Sequence, residues 1–104
     1  MKNRIELAKY FNNLGFKIGA EIGVYTGYFS KILCENIPKL KLYAIDSWSD
    51  RYEHSFNAAE ANLKPYNVII IRKSSLEAVL DFENNSLDFV FIDARHTYKR
   101  VTED

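Results

Sequence analysis

Several features that would assign the chain to a specialised class of protein are scarce or absent. Cys34 is the only cysteine, which excludes an intramolecular disulfide and fits a reducing cytosol. Fourteen basic residues balance fourteen acidic ones, which argues against nucleic acid and against a membrane surface as partners. The longest strictly aliphatic run, residues 68–71, is far shorter than the ~18 residues of a membrane span. Residues 1–16 lack an apolar stretch of signal-peptide length, so we expect a soluble cytoplasmic protein.

Apolar segments alternate with amphipathic ones, and this order predicts strands separated by helices. The predicted strands are residues 17–23, 40–46, 68–71 and 87–92. A helix is predicted before the first strand, with Gly15 as its stop, and others between the strands. The side chains expected to cap the later helices are Thr26, Ser49 or Asp50, Ser74 with Glu77, and Thr97 in a last helix. Strands that are apolar on both faces predict a Rossmann-like, doubly wound parallel α/β fold.

In such a fold the ligand lies beyond the carboxyl ends of the strands, and two features fall there. Gly23 and Gly27 follow strand 1, where they permit a tight turn and a close approach of backbone to ligand. A strand-to-helix turn also needs glycines for its geometry alone. Asp46 ends strand 2, where a carboxylate accepts hydrogen bonds from ribose hydroxyls or simply caps a turn. Together the two features predict an adenosine-type ligand.

The residues around the glycines bear on which adenosine cofactor is bound. A nicotinamide site would favour the pattern Gly-x-Gly-x-x-Gly, whereas Tyr25 lies between Gly23 and Gly27 in this chain. Glu21 precedes the first glycine by two residues and is placed to face the positively charged ammonium of an amino-acid moiety. The pattern therefore favours a cofactor that carries an amino acid.

Three segments resemble motifs of class I S-adenosylmethionine-dependent methyltransferases. Residues 20–30 (AEIGVYTGYFS) are similar to the first motif and residues 42–48 (LYAIDSW) to the second. Residues 87–98, with Val101 and Asp104, resemble the fourth-strand motif of the methyltransferase domain 24 subgroup, which includes sugar and macrolide methyltransferases. The resemblance implies S-adenosylmethionine as cofactor. The residues it implies in binding are Glu21, Gly23 and Gly27 for the methionine portion, Asp46, Ser47 and Trp48 for the ribose and adenine, and Ser74 and Ser75 near the adenine edge. Tyr25, between the two glycines, is also expected to bind the cofactor.

Asp93 and His96 are the candidates for chemistry beyond cofactor binding. The resemblance implies that His96 acts as a base toward an acceptor hydroxyl and that Asp93 ligates a divalent cation such as magnesium. Arg95 stands where the subgroup usually has an acidic or small polar residue, and a cation beside Asp93 weakens the metal interpretation. The alternative for His96 is a loop histidine that bonds to the backbone.

Similar methyltransferases continue through three more strands, so the chain resembles the cofactor-binding N-terminal half of such an enzyme. With the strand order 3-2-1-4, we expect strand 4 to be an exposed apolar edge, open to self-association or to a partner. The implied function is transfer of a methyl group from the sulfonium to an oxygen of a small molecule or sugar. The alternatives are a non-catalytic α/β module that binds an adenosine ligand or a protein partner and, less favoured, a nicotinamide-binding fragment.

Overall fold

The chain forms a five-stranded sheet with helices packed against it, seen in a computed structural model that describes residues 3–49, 52–74 and 86–92 and the backbone of residues 97–100. The elements in chain order are α1 (Arg4–Asn13), β1 (Ile18–Ile22), α2 (Tyr28–Asn36), β2 (Lys41–Asp46), α3 (Glu53–Leu63), β3 (Val68–Arg72), β4 (Phe89–Ile92) and β5 (Thr97–Arg100). The four predicted strands are confirmed as β1 to β4, with small shifts at their ends. The helix predicted after Ser74, and Glu77 of its capping pattern, lie outside the described residues.

The four predicted strands run parallel in the order β3-β2-β1-β4, which confirms the Rossmann-like doubly wound topology. β1 lies at the centre between β2 and β4, and the register pairs Ile22 with Ile45 and with Ile92. Between β2 and β3, the register pairs Asp46 with Arg72. The carboxyl ends of β1, β2 and β3 therefore meet at one edge, where the sequence placed the ligand.

The end of the described chain departs from the prediction. Residues 97–100 form β5, which pairs antiparallel with β4, whereas Thr97 was expected to cap a helix. The prediction that β4 is an open edge is therefore wrong, and the reason for expecting association through that edge no longer holds. The physical cause lies in composition and pairing: a β-branched and an aromatic residue, Thr97 and Tyr98, favour a strand, and β4 offers unpaired backbone groups to it.

All three described helices pack on one face of the sheet. Leu42 and Ala44 of β2 point to the same face because side chains alternate along a strand. Leu42 packs in a cluster with residues of α1 and α2, and Ala44 in a cluster with Ala59 and Leu63 of α3. On the opposite face, Ala20 and Ile45 are also buried. The central strands are thus buried on both sides, as their apolar composition predicts.

A glycine in β1 makes room for an aromatic ring that packs against the helix face of the sheet. The ring of Phe89 in β4 lies across Gly19 and stacks on Phe11 of α1 with the ring centroids 4.5 Å apart. At the amino end of these strands, Oδ2 of Asp88 accepts hydrogen bonds from the backbone N–H groups of Lys17 (2.7 Å) and Ile18 (3.0 Å). These contacts fix the amino end of β1. No helix in the described part of the chain has both the length and the apolar character to cross a bilayer.

Candidate functional site

The turn between β1 and α2 depends on glycine at two points. Gly23 and Gly27 have φ angles of 91° and 82°, in the left-handed region that L side chains rarely adopt. A Cβ at Gly27 would also lie 3.3 Å from the backbone Cα of Ala59 in α3. Gly27 is the N-cap residue that precedes α2, so the prediction that Thr26 caps this helix is wrong. The carbonyl of Thr26 instead accepts a hydrogen bond from Nδ2 of Asn62 (2.8 Å), which ties the turn to α3.

Asp46 joins the turn after β1 to the loop after β2. Its Oδ2 accepts a hydrogen bond from the backbone N–H of Tyr25 (2.9 Å), and its Oδ1 accepts one from the backbone N–H of Trp48 (3.0 Å). Asp46 therefore fills the turn-capping role that the sequence left open. A carboxylate has about four acceptor positions, so these two bonds leave capacity for a further donor such as a ribose hydroxyl.

Trp48 anchors the same two loops from inside the protein. Its indole Nε1 donates to the carbonyl of Tyr25 (2.7 Å), and its ring meets that of Phe56 edge to face at 5.1 Å. Only 1% of Trp48 is exposed, and its φ of 40° lies in the left-handed region. The described position gives the indole a supporting role in the loop, so contact with a nucleoside ring stays a prediction.

Arg72 closes this network from the end of β3. Its Nη2 donates to the carbonyl of Trp48 (2.7 Å) and to Oε1 of Glu53 (2.7 Å), and its Nη1 lies 3.4 Å from Oε2 of Glu53. The guanidinium Cζ is 4.3 Å from the ring centroid of Phe56. The hydrogen bond from Arg72 holds the pKa of Glu53 below its usual value, so the pair stays charged over a wide pH range.

Glu21 and Ser30 form a buried polar pair beneath the glycine turn. Both residues are fully buried, and the hydroxyl of Ser30 donates to Oε1 of Glu21. Ser30 lies in the first turn of α2, where the helix dipole favours a nearby negative charge. A carboxylate held in this position places negative potential under the turn, although its own surface is closed to solvent.

The structure brings most of the predicted cofactor-binding residues together at the carboxyl ends of β1 and β2. These are Glu21, Gly23, Tyr25, Gly27, Asp46, Ser47 and Trp48. Tyr25 and Ser47 are exposed, and the ring of Tyr25 meets the ring of Tyr52 edge to face at 6.4 Å. Ser74 is exposed just beyond β3. Ser75, Asp93 and His96 lie outside the described residues.

Two features of the described surface bear on competing sites. No group of three or more His, Cys, Asp or Glu side chains comes together as a metal site among the residues that the structure describes, and Asp93 is not one of these. A groove of about 580 Å³ lies between α3 and β3, lined by residues that include Glu60, Lys64 and Tyr66. None of the residues predicted to bind the cofactor lines this groove, so the polar network at the carboxyl ends is the better candidate site.

Sequence reasoning missed Ser30, Arg72 and Asn62 as parts of this site. Ser30 had a detectable signal, since it stands at helical spacing from the buried Leu33 and Cys34, where an apolar residue is expected. Arg72 and Asn62 carry no such signal. Their partners, Trp48 and Thr26, are distant in sequence and are brought close only by the folded sheet.

Comparison with known proteins agrees with this geometry. A family model described as a methyltransferase domain, that of methyltransferase domain 24, matches residues 20–104. The chain belongs to this methyltransferase family. Its class I fold is also the fold of the solved structures that it resembles. No curated protein is significantly similar to the chain in sequence.

Three solved methyltransferases illustrate the shared fold. An O-methyltransferase from Bacillus cereus, solved with S-adenosylhomocysteine, is 21% identical to this chain with a TM-score of 0.67. The match covers 88% of this chain and 43% of the Bacillus cereus chain. The O-methyltransferase TomG from Streptomyces achromogenes, involved in tomaymycin synthesis and solved with S-adenosylmethionine, is 21% identical with a TM-score of 0.71 and the same coverage, 88% and 43%. A precorrin-6y C5,15-methyltransferase from Geobacter metallireducens is 18% identical with a TM-score of 0.64, covering 85% and 45%. The chain thus spans less than half the length of these methyltransferases.

Proposed function

We propose that the chain is the cofactor-binding part of an S-adenosylmethionine-dependent methyltransferase that acts on an oxygen of a small molecule or sugar. The observation that carries the proposal is Asp46, a carboxylate at the end of β2 that spans two loops and keeps acceptor capacity. The names of two solved relatives, both O-methyltransferases, support the choice of an oxygen acceptor.

The residues of the site fit the two halves of this cofactor. Asp46 would hold the ribose hydroxyls, and Ser47 and Ser74 are exposed just beyond β2 and β3. Gly23 and Gly27 would let the backbone approach the methionine portion, and Glu21 would favour its ammonium through the potential beneath the turn. When bound, S-adenosylmethionine supplies a methyl group on a positively charged sulfur.

The chain's contribution to transfer is alignment and proton removal. Two loops tied together by Asp46 give a rigid frame that fixes where the cofactor lies, and fixed geometry is a large part of the rate gain in such reactions. His96 remains the proposed base for the acceptor hydroxyl, and Asp93 the proposed ligand of a cation such as magnesium. Both roles are proposed from sequence resemblance.

A matched pair of variants tests the proposal in a calorimetric titration with S-adenosylhomocysteine, with NAD as comparison ligand. Asp46 and Asp88 each accept two backbone N–H groups, but they lie at opposite ends of the sheet. We expect saturable binding by the wild-type chain and by Asp88→Asn. Asp46→Asn should weaken it by at least about tenfold, the effect of losing one hydrogen bond to a charged group.

Three outcomes would count against the proposal. If the folded wild-type chain bound no S-adenosylhomocysteine, the site would not hold this cofactor. If NAD bound more tightly, the nicotinamide alternative would be favoured. If both aspartate variants lost affinity equally, the effect of Asp46 would be one of folding alone.

A further inference from the structure

The loop that follows β2 is held in an unfavourable backbone conformation. Trp48 has a φ of 40°, and a bulky residue in the left-handed region is a costly conformation that persists only where its surroundings fix it. The backbone N–H of Trp48 donates to Oδ1 of Asp46, and its carbonyl accepts from Nη2 of Arg72. Asp46 and Arg72 thus both hold the backbone of Trp48, Asp46 at its N–H group and Arg72 at its carbonyl.

Arg72 is itself fixed in three directions. Besides the carbonyl of Trp48, its guanidinium engages both oxygens of Glu53, with the shorter contact at 2.7 Å. Its planar face lies on the ring of Phe56, 4.3 Å from the centroid. Lysine could not replace these contacts, because a single ammonium lacks the flat fork that bonds a carboxylate and a carbonyl while stacking on a ring.

The carboxyl ends of β2 and β3 are therefore connected through one pair of residues. Asp46 and Arg72 are register partners at the ends of β2 and β3, and the backbone of Trp48 connects their side chains. A shift of the Trp48 backbone would move the N–H group that orients one oxygen of the Asp46 carboxylate. It would also move the indole that bonds the carbonyl of Tyr25 in the glycine turn.

We propose that Arg72 is a positioning residue for nucleoside recognition, which fixes the Trp48 backbone and thereby aims the Asp46 carboxylate at the ribose hydroxyls. This inference rests on the proposed function. Arg72 touches the ligand at no point in this role and acts through Trp48.

The test uses two variants of Arg72. Arg72→Met keeps a long unbranched side chain but removes the N–H donors, and Arg72→Lys keeps the positive charge but removes the planar guanidinium group. Lys39→Met is the matched control, since Lys39 is an exposed cation at the amino end of β2. Each folded variant is titrated with S-adenosylhomocysteine and with its 2′-deoxyribose counterpart. Trp48 is the only tryptophan of the chain, so its fluorescence reports the loop directly.

We expect the wild-type chain and Lys39→Met to favour the ribose ligand over the deoxyribose one by at least about tenfold. Arg72→Met should lose affinity for the ribose ligand by on the order of tenfold, because small misplacements of a binding group are costly. The ratio of its affinities for the ribose and the deoxyribose ligand should fall toward one. The fluorescence emission of Trp48 should shift to longer wavelength. Arg72→Lys should resemble Arg72→Met.

The results that would overturn the inference differ from those that would overturn the proposed function. Arg72 variants that keep the ribose preference, or that lose affinity for both ligands by the same factor, would overturn the inference alone, since a purely structural residue gives that pattern. Full recovery in Arg72→Lys would do the same, because charge would then suffice. A wild-type chain that binds neither ligand would overturn the proposed function and the inference together.

Discussion

Gly19→Ala is expected to destabilise the chain, because the ring of Phe89 occupies the space that the new methyl group would need. A Cβ at position 19 would lie 2.2 Å from both Cε2 and Cζ of Phe89 and 2.6 Å from Cε1. The ring has little freedom to move away, since Phe89 is fully buried and stacks on Phe11 at 4.5 Å and on Phe16 at 5.9 Å. The change therefore demands a shift of several packed rings.

Two opposing effects set the magnitude. Replacing glycine restricts the unfolded chain and by itself favours folding by about 0.4–1 kcal/mol. Overfilling a packed core costs about 1–3 kcal/mol, and separations near 2.2 Å place this site at the upper end of that range. The steric effect wins, and we expect a net loss of about 2 kcal/mol, or roughly 10 °C in Tm for a domain of this size.

Urea unfolding followed by circular dichroism measures this loss, and a double-mutant cycle assigns its cause. Phe89→Leu alone should destabilise by creating a void, but it should also relieve the clash. Gly19→Ala combined with Phe89→Leu should therefore be at least about 1 kcal/mol more stable than the sum of the two single effects predicts. A Gly19→Ala chain within about 0.5 kcal/mol of wild type, or strictly additive effects, would refute the packing described here.

Three further predictions concern the site and its surroundings. Ser30→Ala should lower the free energy of unfolding by about 2 kcal/mol, because the buried Glu21 carboxyl group loses the hydrogen bond from the Ser30 hydroxyl. Ser30→Thr should recover part of this loss, and equal losses in urea titrations of both variants would contradict the prediction. Burial, with smaller contributions from Glu21 and Glu35, raises the pKa of the Cys34 thiol to about 12, so iodoacetamide at pH 8 should label the folded chain far more slowly than the unfolded one, and equal rates would contradict this. The Arg72 hydrogen bond lowers the pKa of Glu53 below its usual 4.5, so its stabilising effect is present above pH 4.5 and is lost as the pH falls. The stability gap between wild type and Glu53→Gln should therefore close on acidification from pH 7 to pH 3, and a gap independent of pH would contradict it.

The order of elements could be predicted because it depends on local patterns. The apolar run at residues 68–71 and the glycine that follows α1 mark their elements without reference to the rest of the chain. Asp46 could be placed at the carboxyl edge for the same reason, since it ends an apolar segment. Local patterns failed at Thr97, where the free edge of β4 decides the structure and favours a strand over the predicted helix.

The hydrogen bonds of the Trp48 indole and of the Arg72 guanidinium could not be predicted, because they join residues that are far apart in sequence. Trp48 looks like an exposed aromatic beside a ligand when its motif is considered alone, yet it is buried and bonds the carbonyl of Tyr25. Arg72 looks like a polar residue at the end of a strand, yet it holds both Trp48 and Glu53. Such roles follow from the strand order, which places β2 between β1 and β3.

An NMR titration of the isotope-labelled chain with S-adenosylhomocysteine tests the location of the cofactor site most directly. We predict saturable shifts in the backbone amides of Gly23, Tyr25, Gly27 and Trp48, which surround Asp46 at the carboxyl ends of β1 and β2. The amides of Lys17 and Ile18, bonded to Asp88 at the opposite end of the sheet, should not move. Shifts confined to the groove between α3 and β3, or none at any ligand concentration, would contradict the account.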